Sequence, residues 1–155
     1  MRKIMFVGRS EAGKTTLTQA LKGEDIHYHK TQYVNFKDVI IDTPGEYAEC
    51  NELSAALALY SFEANVVGLL LSAIEPYSLY PPEVTAVSTR ECIGIVTKID
   101  HPLADADRAE RWLRLAGCKK IFRISSYTGE GVQELLEYLR EEGDILPWDQ
   151  QNEGE

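Results

Sequence analysis

Apolar runs recur along the chain, and most are apolar at successive positions rather than alternate ones. KIMFVG (3–8), NVVGLLLSA (65–73), CIGIVTKI (92–99) and KIFRISS (120–126) all read this way. A strand with no polar face is buried on both sides, as in a parallel sheet covered by helices. Two shorter runs, TQYVNF (31–36) and DVIID (38–42), meet at Lys37 and predict a small hairpin. The stretches between are built for helices: GKTTLTQALKG (13–23), ELSAALALYSFEA (52–64), ADADRAERWLRLAG (104–117) and GVQELLEYLREEG (131–143). Three of these end on glycine, a common helix stop. In the last, Val132, Leu135, Leu136 and Leu139 fall on one face.

Strands alternating with helices predict a doubly wound α/β fold. The sheet has six predicted strands, mostly parallel, with one short antiparallel strand from the hairpin. With helices on both faces this is a three-layer sandwich. Ligands of such sheets bind beyond the carboxyl ends of the strands, and the motifs below sit there.

A chain of 155 residues supports one domain with a full core. That domain is expected over 1–143, followed by a loose acidic tail, DILPWDQQNEGE (144–155). The net charge of −9 argues against nucleic acid or an anionic membrane as partner, because both demand a basic face. Cys50, Cys92 and Cys118 form no CxxC pair, which suits reduced thiols in a cytoplasmic protein. The longest apolar run, VVGLLLSAI (66–74), is far too short to span a bilayer.

GRSEAGKT (8–15) matches G-x-x-x-x-G-K-[ST] in full, between a predicted strand and a predicted helix. Such a loop wraps its main-chain N–H groups around phosphates at the positive end of a helix dipole. The expected cradle is Gly8, Arg9, Ser10, Glu11, Ala12, Gly13, Lys14, Thr15 and Thr16. Lys14 should reach the β- and γ-phosphates, and the Thr15 hydroxyl should bind Mg²⁺. In VIIDTPG (39–45), Asp42 can hold a Mg²⁺-bound water opposite Thr15, and Gly45 can offer its N–H to a γ-phosphate. D-x-P-G is also a common turn; its place downstream of the phosphate loop is what gives it weight. Thr31, in HYHKTQY (27–33), can add a second hydroxyl to the metal. His27 and His29 have no evident third ligand and read as a polar loop.

VTKID (96–100) ends the fifth predicted strand. There Lys98 can lie along a base and ribose. Asp100 can accept from guanine N1–H and N2–H₂ together, a donor pair that adenine lacks. In ISSYTGEG (124–131), Ser125, Ser126 and Tyr127 form a second loop, where the Ser126 N–H can meet guanine O6.

With these segments in place, residues 3–142 resemble the small P-loop GTPases of the translation-factor class. The resemblance makes Thr31 the first switch threonine, residues 42–45 the D-x-x-G switch, residues 97–100 the base reader and Ser125-Ser126 the S-A loop. Thr97 stands where Asn is usual, as in Rho-type GTPases. A narrower resemblance, carried by HYHKTQ, IDTPGEY and LTQALKGE, is to the EutP/PduV family. These are P-loop proteins encoded with bacterial microcompartments for ethanolamine or propanediol utilisation. It implies a cytoplasmic protein with a shell or enzyme of the microcompartment as partner. Some members of that family are described as acetate kinases using ATP.

Two residues bear on turnover. Glu46 follows Gly45 where Ras-like enzymes keep a Gln, and a carboxylate near a γ-phosphate is repelled. With Lys14, Thr31, Gly45 and Glu46 as the catalytic candidates, slow intrinsic hydrolysis is expected. Glu11 inside the loop must face solvent for the same reason. Three readings stand: a Mg²⁺-dependent GTP-binding protein or slow GTPase; an ATP-dependent acetate kinase with Arg9, Lys30 or Arg90 as the acceptor's cation; and a non-catalytic adaptor that docks through Leu146, Pro147 and Trp148.

Overall fold

The structure is a computed structural model, and it describes residues 2–8, 13, 16–18, 20–21, 40–41, 64–78, 80–144 and 146–149. The hairpin run 31–36 and the predicted helix 52–64 lie outside the described residues, save Ala64.

Among the described residues five strands form one sheet: β1 (Ile4–Val7), β2 (Ile40–Ile41), β3 (Val66–Ser72), β4 (Glu91–Thr97) and β5 (Lys120–Arg123), in the order β2-β1-β3-β4-β5. Every pairing is parallel. Helical residues 16–18 and 20–21 (α1) follow β1. Two further helices, α2 (Ala106–Leu115) and α3 (Val132–Leu139), follow β4 and β5.

Successive strand residues enter opposite cores, as the period of two requires. Ile4, Phe6, Ile93, Ile95 and Phe122 pack with Leu17 and Leu21 of α1 and with the expected α3 face of Val132, Leu135, Leu136 and Leu139. Met5, Val7, Val67, Leu69 and Val96 pack on the other side with Ala109 and Leu113 of α2. This is the expected three-layer sandwich. Among the described residues the sheet is wholly parallel.

Several elements stop short of their predicted ends, each for a local reason. β4 ends at Thr97 because Lys98 takes a left-handed φ of 59°. β5 ends at Arg123 because the chain turns at Ser125, whose N–H donates to the Glu130 carbonyl at 3.0 Å. α2 starts later than predicted, capped by Asp105, whose side chain accepts from the Arg108 N–H at 3.0 Å. At its other end the Cys118 N–H closes on the Leu113 carbonyl at 3.1 Å, beside the expected stop at Gly117.

α3 ends at Leu139 rather than 143, and the expectation of a loose tail fails for residues 146–149. Arg140 is extended and its guanidinium bridges Glu137 and Asp149, both at 2.9 Å. Leu146 is fully buried in the α3 core, and the Trp148 indole N–H donates to Glu137 at 2.6 Å. Two of the three residues that the adaptor reading assigns to a partner, Leu146 and Trp148, therefore dock on this chain.

Candidate functional site

β3 lies between β1 and β4, and Gly13, after β1, reaches across to Thr97 at the carboxyl end of β4. Gly8 is buried directly after β1. Gly13 has φ +94°, a conformation that L side chains avoid, and its carbonyl accepts from the Leu17 N–H at 2.9 Å. It therefore ties the motif to the described start of α1 at Thr16 and Leu17. A Cβ on Gly13 would lie 3.5 Å from Thr97 Cβ and Oγ1. The end of the phosphate-loop motif thus rests on the first residue of T-K-x-D.

Thr97 is 3% exposed, and its carbonyl accepts from the Ala73 N–H at 2.9 Å. Ala73 in turn accepts from the Asp105 N–H at 2.8 Å, which stitches the loops after β3 and β4 together. The left-handed Lys98 begins a turn closed by the His101 N–H on the Lys98 carbonyl at 3.1 Å. Asp100 occupies that turn with its side chain exposed. A left-handed residue other than glycine costs energy, and such residues cluster where a loop shape matters.

The loop after β5 is also ordered by its own bonds. Ser125 is fully buried; its hydroxyl accepts from the Thr128 N–H at 3.2 Å and its carbonyl from the Gly129 N–H at 2.9 Å. Ser126 is half-buried, and its amide has no partner among the described residues. Tyr127 is 82% exposed. Since β4 and β5 are neighbours, Asp100 and Ser126 stand on adjacent loops at one rim.

The structure thus brings Gly8, Gly13, Thr97, Lys98, Asp100, Ser125 and Ser126 to one end of the sheet, with exposed Thr16 on α1 beside them. Arg9, Ser10, Glu11, Ala12, Lys14, Thr15, Thr31, Asp42, Gly45 and Glu46 lie outside the described residues. Arg90 does not join the site. It precedes the amino end of β4, and that strand's seven residues put it about 23 Å from Thr97.

One residue was not foreseen. The Tyr80 hydroxyl lies 3.0 Å from the Val7 carbonyl and 2.7 Å from that of Leu70. It ties the last residue of β1, just before the phosphate-loop motif, to β3. Burial, with the nearby Cys118 thiol adding to it, pushes the phenol pKa well above its ordinary value, so the hydroxyl remains a donor. Tyr80 lies in SLYPPE (78–83), where no periodicity marks a buried position.

Comparison with known proteins places this geometry. Residues 1–141 match the PduV-EutP family model, described as "Ethanolamine utilisation - propanediol utilisation". The propanediol utilization protein PduV of Citrobacter freundii is 42% identical over 90% of this chain and 93% of its own. The probable acetate kinase EutP of Escherichia coli K12 is 36% identical over 90% of this chain and 89% of its own. Among solved structures, the FeoB G-domain of Methanococcus jannaschii superposes with a TM-score of 0.60 at 21% identity, covering 88% of this chain and 94% of that one. The last likeness places the fold among P-loop G-domains, and the sequence matches over most of the chain's length show that the protein belongs to the PduV-EutP family.

Proposed function

We propose that this protein binds a purine nucleotide with Mg²⁺, reads guanine through Asp100, and acts as a slow GTPase serving a microcompartment for ethanolamine or propanediol utilisation. The observation that supports the reading is the seating of Gly13 on Thr97, which brings the G-x-x-x-x-G-K-[ST] motif against the T-K-x-D turn. Phosphates would lie on the N–H groups before α1. Lys14 would supply the cation, and Thr15, Thr31 and Asp42 would hold the metal. The metal would neutralise charge on the β- and γ-phosphates. The base would pass Lys98 to reach Asp100, with the Ser126 amide opposite. Glu46 offers no amide to orient water, which favours slow turnover.

The name of the 36% identical relative favours a second reading, ATP-dependent phosphorylation of acetate. An anionic acceptor needs a cation beside the γ-phosphate. Arg90 is at the far end of β4, so Arg9 or Lys30 would have to provide it.

Titration of nucleotide-free protein with labelled GTP, GDP and ATP in Mg²⁺, paired with an assay for acetyl phosphate, separates the two. Tighter binding of GTP than ATP with no acetyl phosphate supports the first reading. Preference for ATP with acetyl phosphate formation replaces it with the second.

A further inference from the structure

A groove of about 810 Å³ runs between β5 and α3. Strand β5 ends the sheet among the described residues. The Ile124 N–H donates to Val96 of β4 at 2.8 Å, so alternate residues of β5 turn their main chain toward β4. Ile121 and Arg123 turn theirs outward. The Arg123 carbonyl is covered, since a Cβ on Gly131 would come within 2.1 Å of it. The Ile121 N–H and carbonyl and the Arg123 N–H remain at the edge, without a partner among the described residues.

The groove beside that edge has its own character. Phe122 and Tyr138 meet edge-to-face, with ring centroids 5.3 Å apart. Glu130, Glu134 and Glu137 line it against a single cation, Lys120. Glu137 is shared by Arg140 and Trp148. Glu130 and Glu134 are exposed and make no ion pair among the described residues. On the opposite side of the edge, the Arg123 charge is met by Asp107 at 2.7 Å and by Glu110 at 3.6 Å.

We propose that the edge of β5 and this groove form a docking site for an extended basic segment of a partner protein. An added strand supplies the missing hydrogen bonds to Ile121 and Arg123. Its alternate side chains enter the groove. Lys or Arg there lays an apolar stem along Tyr138 and brings its charge to Glu130 and Glu134. A second copy of this chain is a poor occupant, because its net charge of −9 meets an acidic groove. The Glu130 carbonyl accepts from the Ser125 N–H, so the occupant borders the base-side loop. The proposal is independent of which nucleotide binds.

The probe is a fluorescein-labelled octapeptide alternating Lys and Val, offered to the full chain at low salt. It should bind, and the Ile121 and Arg123 amides should gain protection from hydrogen exchange. Glu130→Lys/Glu134→Lys should weaken binding by about tenfold or more, and so should N-methylation of alternate peptide bonds. Glu83→Lys/Glu142→Lys makes the same change in net charge elsewhere and should stay within about twofold. Equal losses from both double variants would reduce the effect to general charge attraction. No binding at millimolar peptide, or unchanged Ile121 protection, would overturn the proposal. Protection of those amides in concentrated protein alone would assign the edge to a second copy instead.

Discussion

Gly13 and Thr97 touch: a Cβ on the glycine would stand 3.5 Å from the threonine Cβ and Oγ1. That is ordinary contact distance, so the room beside Thr97 does not by itself demand a glycine. The backbone does, because φ is +94°. Gly13→Ala should therefore cost about 1–2 kcal/mol of stability. If the strained shape holds the phosphates, nucleotide affinity should fall by about tenfold or more in a variant that still folds. Gly143→Ala places the same strain at φ +92° in open space far from the site. It should lose similar stability by urea unfolding and no nucleotide affinity. Equal affinity losses in both variants would mean that Gly13 has no special place at the ligand.

Tyr80→Phe removes the hydroxyl that joins β1 to β3 and leaves the Val7 and Leu70 carbonyls without that donor. We expect a loss of about 1–2 kcal/mol in urea unfolding. Nucleotide should also dissociate several-fold faster, since Val7 leads directly into the loop. Stopped-flow release of a fluorescent nucleotide reads the second effect. An unchanged release rate alongside lower stability would confine Tyr80 to the core.

The docked segment 146–149 should release in acid. Burial opposes ionisation of Asp149, but the Leu146 N–H and the Arg140 guanidinium outweigh it and hold its pKa below the ordinary 3.8. A carboxyl depressed in the folded state stabilises fully above its unfolded pKa and loses that contribution as pH falls through the folded value. Trp148 fluorescence, followed in a Trp112→Phe background, should change below about pH 3.8. Asp149→Asn should remove that step at the same protein concentration. A transition unchanged by Asp149→Asn would place the acid sensitivity elsewhere.

These cases mark what could be read from residues alone. The runs apolar on both faces named β1, β3, β4 and β5, because burial on two sides leaves no other composition open to them. The α3 face was equally plain from Val132, Leu135, Leu136 and Leu139. Strand ends were less legible, since they depend on single torsions such as that of Lys98. The acidic composition of residues 144–155 concealed the packing of Leu146 and Trp148 on this chain's own core, which depends on Arg140 leaving the helix. Tyr80 was invisible because only tertiary structure brings Val7 and Leu70 to its hydroxyl. The groove along β5 was hidden too, because strand order is not written in any local pattern.

The central claim is that Asp100, held exposed in the turn closed by His101 on Lys98, reads guanine. The direct measurement is competition of GTP, XTP and ATP against one fluorescent nucleotide, on the wild type and on Asp100→Asn. An amide can donate to the xanthine O2 carbonyl but cannot accept from N1–H and N2–H₂ together. The lost charged contact is worth about 2–4 kcal/mol. The account predicts that the wild type prefers GTP and that the variant loses GTP affinity by about a hundredfold while gaining XTP. A wild type that prefers ATP, with base preference unmoved by Asp100→Asn, would contradict it.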